Sequence, residues 1–178
     1  MKLLREENKM KKFELTTETK INIFGKKLFR IKALISFGPI SAGEKGGWVE
    51  KEENLSQSGN AWVSGNAEVS GNAEVSGNAY VCDNACVRDN AMVSGDAEVS
   101  GDAWVRDNAD YTTIHGFGTQ FRTTTFFRCK DKEIRVSCGC FFGTISEFRE
   151  QVKRTRKGKV AEEYLMIADL MEKHFKEE

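Results

Sequence analysis

Two histidines are the candidates for general-base chemistry in this sequence. A neutral imidazole can accept a proton near pH 7, which is the property that acyl transfer and hydrolysis require. His115 lies in a Gly-containing stretch where a loop could present it, whereas His174 falls on the apolar stripe of the last predicted helix and is expected to be packed. We therefore predict a protein without a catalytic residue. The alternative hypothesis is an enzyme in which His115 acts as the general base.

Three of the five cysteines fall close together in the C-terminal part. Cys138 and Cys140 alternate onto one face of a predicted strand, and Cys129 is expected on the neighbouring strand. Three thiols could converge on a metal, but zinc sites usually use paired Cys-x-x-Cys spacing and a fourth ligand, which the sequence does not supply. The pattern favours a buried cluster of free thiols, with no metal and no cofactor.

A basic run near the C-terminus offers another kind of chemistry, the binding of phosphates or acidic surfaces. It comprises Lys153, Arg154, Arg156, Lys157 and Lys159. Cations are favoured at the C-terminal end of a helix, where this run is expected to lie, and no aromatic residues are interleaved to read bases. Nucleic-acid binding by this patch stays open.

The element that must position these residues is a repeat with a period of six. Valine occupies positions 63, 69, 75, 81, 87, 93, 99 and 105, and alanine occupies 61, 67, 73, 79, 85, 91, 97, 103 and 109. Between each Val and the next Ala lie three small or polar residues, in which Gly, Asn or Asp can adopt the left-handed backbone of a corner. Three such units close a triangle, so the sequence predicts a mainly β, stacked three-sided tube with Val and Ala inside.

This pattern resembles the left-handed parallel β-helix proteins built from hexapeptide repeats. Residues 46–56 (GGWVEKEENLS) and the tail from Val136 to Thr144 are also similar to a group of bacterial and prophage proteins. The resemblance implies an N-terminal β-hairpin cap, a C-terminal ββαα domain and a phage context, but no reaction. Many left-handed β-helix proteins are acyltransferases that bind coenzyme A. The alternative hypothesis is therefore an acyltransferase of this kind that uses His115.

The predicted organisation has four parts. Residues 1–12 are a disordered extension, with translation starting at either Met1 or Met10; residues 13–45 form the hairpin cap, 46–111 the β-helix and 112–178 a small α+β domain. In the last part, residues 123–130 and 133–140 form a strand pair, and Thr144 with Glu147 begins a helix that ends at Gly158. A final helix over 160–175 is predicted to bury Tyr164, Ile167, Ala168, Met171, His174 and Phe175.

Outward-facing residues eighteen positions apart are expected to stack in columns on the tube. The first column consists of Trp62, Tyr80 and Glu98, the second of Glu68, Cys86 and Trp104, and the third of Glu74, Met92 and Asp110. Beside the second column, Arg88 is expected to stack over Arg106 and Asp89 over Asp107, which would form an alternating charge ladder. Exposed aromatic residues beside charges are typical of protein interfaces. The predicted binding residues are Trp62, Tyr80, Arg88, Asp89, Met92, Glu98, Trp104, Arg106 and Asp107.

The repeat segment is acidic, and its charge bears on the predicted function. Residues 61–110 carry a net charge of −7, although the whole chain is neutral. We predict a non-catalytic scaffold that binds protein, as a dimer or trimer of itself and with a host protein. One version is an inhibitor of a bacterial defence system, of the anti-CRISPR kind, that imitates a nucleic-acid backbone. A sponge for a nucleotide or another small ligand is a further alternative. No signal peptide or membrane span is evident, so the expected location is the cytoplasm.

Overall fold

A computed structural model describes residues 10–176 of the chain. The predicted disordered extension therefore falls mostly outside the described residues. The first elements are strands β1 (Phe13–Ile21), β2 (Lys27–Ala33) and β3 (Lys45–Val49), in which β1 and β2 form an antiparallel hairpin and β2 also pairs with β3. A single 3-10 turn, Glu52–Asn54, follows.

Eight strands of two residues come next, and each begins six positions after the one before. They are β4 (Trp62–Val63), β5 (Glu68–Val69), β6 (Glu74–Val75), β7 (Tyr80–Val81), β8 (Cys86–Val87), β9 (Met92–Val93), β10 (Glu98–Val99) and β11 (Trp104–Val105). Every third strand pairs in parallel, which gives the stacks β4-β7-β10, β5-β8-β11 and β6-β9. Since β3 pairs with β5, the N-terminal strands continue one of these sheets. The chain is thus a β-solenoid of about three turns, which confirms the predicted stacked tube.

The inside of the solenoid is formed by the two predicted series of small and branched residues. Every Val of β4 to β11, and every Ala from Ala61 to Ala103, is at least 99% buried. A valine side chain withdrawn fully from water contributes about 1.5–3 kcal/mol, so the repeated series is the main source of stability. Because coils stack directly, each interior side chain packs on its counterpart in the next coil.

The corners of the solenoid differ from the prediction in one respect. The left-handed backbone is adopted by the glycines, such as Gly65 and Gly77, and by Asp83 and Asp89, each with φ of 59°. No described Asn has positive φ. The asparagines instead form ladders between coils: Asn60 Nδ2 donates to Asn78 Oδ1 at 3.2 Å, and Asn78 Nδ2 donates to Asp96 Oδ1 at 2.9 Å.

The C-terminal part contains four strands where two were predicted. They are β12 (Tyr111–Phe117), β13 (Arg122–Arg128), β14 (Ile134–Cys138) and β15 (Phe141–Thr144), arranged antiparallel in chain order. The predicted pair corresponds to β13 and β14. The additional strands were missed because β12 continues directly from the last coil and β15 is only four residues long.

Two helices, α1 (Ile145–Thr155) and α2 (Gly158–His174), complete the chain. The capping box at Thr144 and Glu147 is confirmed. Gly158 does not end α1, as predicted, but begins α2. The apolar face of α2 buries Tyr164, Ile167, Ala168, Met171 and Phe175 as expected, whereas His174 is exposed, so its predicted burial is wrong. None of the described helices is long and apolar enough to cross a membrane.

The C-terminal sheet covers the last coil of the solenoid and satisfies its open edges. Thr125 Oγ1 accepts a hydrogen bond from Glu98 N at 3.0 Å, and Lys130 N donates to Asp102 O at 3.0 Å. On the third face, the Tyr111 hydroxyl donates to Met92 O at 2.5 Å. An uncovered coil would present unpaired backbone groups to other chains, so this sheet is an obligatory cap.

The opposite end of the solenoid is closed by a buried lysine. Lys12 Nζ donates to Ala61 O at 2.8 Å, and the Lys12 ammonium lies 4.9 Å from the centre of the Phe37 ring. The residue is only 2% exposed, and this burial lowers the pKa of Lys12 to about 8. The Lys12 ammonium group thus donates to a backbone carbonyl oxygen with which a further strand would otherwise pair.

The titration of Lys12 makes stability depend on pH. Between pH 8 and the ordinary lysine value, the unfolded chain binds more protons than the folded one, so the stability due to Lys12 rises with pH. Relative to Lys12→Met, which cannot titrate, the wild type should gain about 2–3 kcal/mol in free energy of unfolding from pH 7.5 to pH 10.5. Urea denaturation at several pH values measures this difference. Lys11→Met, which alters only an exposed ion pair with Glu52, should show no comparable change.

Candidate functional site

The predicted outward columns are present in the structure. Trp62 pairs with Tyr80 and Tyr80 with Glu98; Glu68 pairs with Cys86 and Cys86 with Trp104; and Glu74 pairs with Met92. The third column ends at Met92, since the chain leaves the solenoid before Asp110, which is buried. The eighteen-residue spacing was therefore correct for eight of the nine positions.

The predicted exposure of Trp62 is wrong. This side chain is fully buried, with the Phe37 ring packed edge-on against it at 5.4 Å between ring centres. Phe37 belongs to the loop between β2 and β3, which folds back over the first face of the solenoid. On the same face Tyr80 is half-buried and its hydroxyl accepts a hydrogen bond from Ser64 Oγ at 2.8 Å, while Glu98 is exposed. On the third face Met92 is 52% exposed.

The second face carries a stack of aromatic and cationic side chains. The Arg88 guanidinium lies 4.5 Å from the centre of the Phe24 ring and 5.4 Å from that of Trp104. The two rings are 5.9 Å apart. Phe24 comes from the turn between β1 and β2, where Asn22 Oδ1 accepts hydrogen bonds from Phe24 N and Lys26 N and holds the turn in place. We call Phe24, Arg88 and Trp104 the junction stack.

Two adjoining compartments flank the junction stack and share Trp104 and Lys130 as walls. The first, of about 240 Å³, is lined by apolar groups including Ile23 and Phe24 and by the carboxylates of Glu68 and Asp102. We call it the aromatic compartment. The second, of about 280 Å³, is lined by Arg88, Trp104, Arg106, Arg128, Cys129, Lys130 and Lys132. We call it the cationic compartment, and the two together the junction groove.

The cationic compartment brings together five positive charges and no lining carboxylate. Lys130 Nζ lies 5.8 Å from the centre of the Trp104 ring. Among the described residues, neither Lys130 nor Lys132 has a carboxylate within ion-pair distance, whereas Arg88 pairs with Asp89. Because the surrounding solenoid is acidic, this local concentration of positive charge contrasts with its surroundings and would attract an anion.

Asp110 lies behind the cationic compartment and joins the solenoid to the C-terminal sheet. Its carboxylate accepts hydrogen bonds from Arg106 Nε at 3.0 Å and from Arg128 Nε at 3.2 Å. Burial by itself raises the pKa of Asp110, but the hydrogen bonds from Arg106 and Arg128 outweigh it and hold the pKa below its usual value. The carboxylate is therefore ionised at neutral pH and orients both guanidinium groups.

The predicted alternating charge ladder is not formed. Arg88 pairs with Asp89 in its own coil, and Arg106 pairs with Asp110 rather than with Asp107. Asp107 is exposed, and its Oδ1 accepts a hydrogen bond from Ala109 N at 2.8 Å as part of a turn. The two coils are stacked at this point, but the Asp110 carboxylate, four residues further on, accepts hydrogen bonds from Arg106 N and Nε and so holds this side chain.

The glutamates in the outward columns of the solenoid are separated from one another. In none of the three columns do two carboxylates follow each other in successive coils. Several have local partners: Glu68 pairs with Lys20 at 2.8 Å, and Asp83 Oδ2 accepts from Gly101 N at 2.9 Å. The glutamates of these columns thus do not form a regular row.

The two histidines lie in separate elements. His115 is exposed on β12, with Nδ1 3.1 Å from Thr123 Oγ1, and His174 is exposed at the end of α2. Neither lines the aromatic or the cationic compartment.

The cysteines do not form the predicted cluster. Cys129 lies at the turn between β13 and β14, whereas Cys138 and Cys140 lie at the turn between β14 and β15, at the other end of β14. No group of three or more metal-binding side chains occurs within residues 10–176. Burial raises the pKa of Cys86 to about 11 and that of Cys82 and of Cys129 to about 12, so these thiols are protonated at neutral pH.

The basic run spans the end of α1 and the start of α2. Lys153 and Arg154 lie in the last turn of α1, where the helix dipole favours cations. Lys153 pairs with Glu150 at 3.0 Å and Lys159 with Glu163 at 3.5 Å. No residue of the run lines the junction groove.

Comparison with known proteins gave no match to a protein-family model and no significant match to a curated protein. The function is therefore inferred from the geometry of the groove. Of its defining residues, Arg88, Trp104 and Arg106 were predicted from the sequence as binding residues. Four others were missed because they come from distant parts of the chain: Phe24, Arg128, Lys130 and Lys132. The Asn-containing turn before Phe24 was the one local signal.

Proposed function

We propose that this protein is a non-catalytic binding protein that recognises an anionic target in the junction groove. The observation that carries the proposal is the cationic compartment: it is lined by five cationic side chains, of which Lys130 and Lys132 have no carboxylate at ion-pair distance among the described residues, and it lies beside a solenoid whose residues 61–110 carry a net charge of −7. The solenoid acts as a rigid scaffold, and the hairpin and the C-terminal sheet contribute the walls.

A binding role is supported by the state of the groups that could perform chemistry. The thiols nearest the groove, Cys86 and Cys129, have pKa values raised to about 11 and about 12, so they are poor nucleophiles at neutral pH. His115, the general base of the acyltransferase reading, lies outside the groove. The groove offers charge and aromatic surface, which are means of recognition.

The groove is a better-supported binding site than the acidic surface of the solenoid. An inhibitor that imitates nucleic acid needs carboxylates at regular intervals, and the glutamates of the outward columns, which do not follow each other in successive coils, give that version less support. We place the chain among left-handed hexapeptide-repeat β-helix proteins of bacterial or prophage origin as part of the same proposal, supported by the six-residue interval between strands and the buried Val and Ala series.

Titration calorimetry with inorganic pyrophosphate tests the proposal. The wild type should release or absorb measurable heat on binding, and affinity should fall as salt is raised, because exposed charges are screened. The double variant Lys130→Glu/Lys132→Glu should lose at least about tenfold in affinity, since about 1.4 kcal/mol of lost attraction corresponds to that factor.

Lys153→Glu/Lys157→Glu is the matched control, because it makes the same charge change in the basic run outside the groove. It should bind pyrophosphate like the wild type. An absence of binding by the wild type, or an equal loss in both double variants, would contradict a specific anion site in the groove.

A further inference from the structure

We infer that the anionic target is a small nucleoside phosphate, with its base in the aromatic compartment and its phosphates in the cationic compartment. This inference rests on the proposed function and specifies its ligand class. The key observation is that the two compartments are chemically different but adjoin each other at Trp104 and Lys130. A ligand that fills both must carry a flat apolar part and a strongly negative part.

The aromatic compartment suits a nucleobase. Phe24 and Trp104 supply aromatic surface, on which bases stack, and Ile23 and Ala103 complete the apolar wall. Asp102 is exposed at its edge and offers carboxylate oxygens that accept hydrogen bonds from exocyclic amino groups. We therefore expect a preference for bases that carry such a group, as adenine does.

The cationic compartment suits a diphosphate. Lys130 and Lys132 provide ammonium groups, and Arg106 and Arg128 provide guanidinium groups that Asp110 holds in position. The volumes of about 240 and 280 Å³ together fall within the usual range of about 300–1,000 Å³ for small-molecule sites.

The junction stack contains two buried donors without an acceptor. Trp104 Nε1 and Arg88 Nε are both buried and lack a hydrogen-bond partner. Unsatisfied buried donors are uncommon in folded proteins because each costs free energy. A nucleotide bound beside the stack would offer ring nitrogens and phosphate oxygens as acceptors to these donors once a small shift of the side chains exposes them.

A free nucleotide fits the surroundings better than a nucleic-acid strand. Beyond the groove a strand would have to continue across the solenoid, whose residues 61–110 carry a net charge of −7. Its phosphates would be repelled there. A single nucleotide keeps its phosphates within the cationic compartment.

Calorimetry with ADP, UDP, inorganic pyrophosphate and a six-residue oligodeoxyadenylate tests the inference on the full-length protein. ADP should bind at least tenfold more tightly than pyrophosphate, and more tightly than UDP, whose base lacks an amino group. Trp104→Leu should abolish the advantage of ADP over pyrophosphate, because it removes the aromatic surface on which the base stacks.

Asp102→Asn is a second variant for use if Trp104→Leu does not fold, since Asp102 is exposed. It should reduce the preference of ADP over UDP without weakening pyrophosphate binding. Equal binding of ADP and pyrophosphate would overturn the nucleotide inference and leave the anion site intact. Binding of neither would overturn the proposed function as well, and tighter binding of the oligonucleotide than of ADP would assign the groove to a strand.

Discussion

Replacing Asp110 with alanine is expected to lower the free energy of unfolding by about 3–5 kcal/mol, because it removes a buried carboxylate that bonds to two guanidinium groups at the junction. The Asp110 side chain is only 5% exposed and bonds to Arg106 from the solenoid and Arg128 from β13. Arg128 N also donates to Asp110 O at 2.8 Å. Urea denaturation at pH 7, followed by circular dichroism, measures the effect.

Asp107→Ala is the matched control, since Asp107 lies in the same turn but is exposed and makes one local hydrogen bond. Its loss should cost about 1 kcal/mol. Equal destabilisation by the two substitutions would show that the junction does not depend on the buried carboxylate.

The same carboxylate predicts a pH dependence. Because the pKa of Asp110 is held below its usual value in the folded protein, its ionised form stabilises the fold above the unfolded pKa, and this contribution is lost as pH falls through the folded value. The difference in stability between wild type and Asp110→Asn should therefore shrink below about pH 4. A difference that stays constant from pH 7 to pH 2 would contradict this account.

Replacing Gly59 with alanine is expected to destabilise the protein by at least about 3 kcal/mol, from a steric clash added to backbone strain. A Cβ atom at Gly59 would lie 2.5 Å from the carbonyl oxygen of Gly77 in the next coil. That oxygen accepts hydrogen bonds from Asn60 N and Ala61 N, both at 2.9 Å, so it cannot move without breaking the pairing between coils.

Gly95→Ala provides a control in the same corner of the solenoid, two coils further on. Gly59 and Gly95 have nearly the same φ, 69° and 68°, but a Cβ at Gly95 would meet no atom within 4 Å. Gly95→Ala should therefore cost only the strain of the left-handed backbone, about 1–2 kcal/mol. Similar thermal midpoints for the two variants would show that stacking between coils is not what requires glycine at this corner.

The junction connects stability with binding. Lys130 is placed by a backbone hydrogen bond to the last coil, and the guanidinium groups of the cationic compartment are oriented by Asp110. Binding of an anion should consequently stabilise the folded state, since the groove that holds the anion exists only when these parts are docked.

The solenoid and its columns could be predicted from the sequence because they depend on local periodicity. A Val and an Ala at every sixth position must face the same interior, and an eighteen-residue repeat brings Trp104 above Cys86 whatever the rest of the chain does. The capping box at Thr144 was equally local. Each of these features depends on residues that are close in sequence or related by one fixed interval.

Tertiary structure alone decided which surface residues are covered and which meet. Trp62 is buried because a loop from outside the repeat packs Phe37 against it, and Arg106 turns to Asp110 because the chain leaves the solenoid there. The groove itself combines Phe24, Trp104 and Lys130, which are separated by up to about a hundred residues and belong to three different parts of the chain. No periodicity relates these positions, since their meeting depends on how the hairpin and the C-terminal sheet dock on the solenoid.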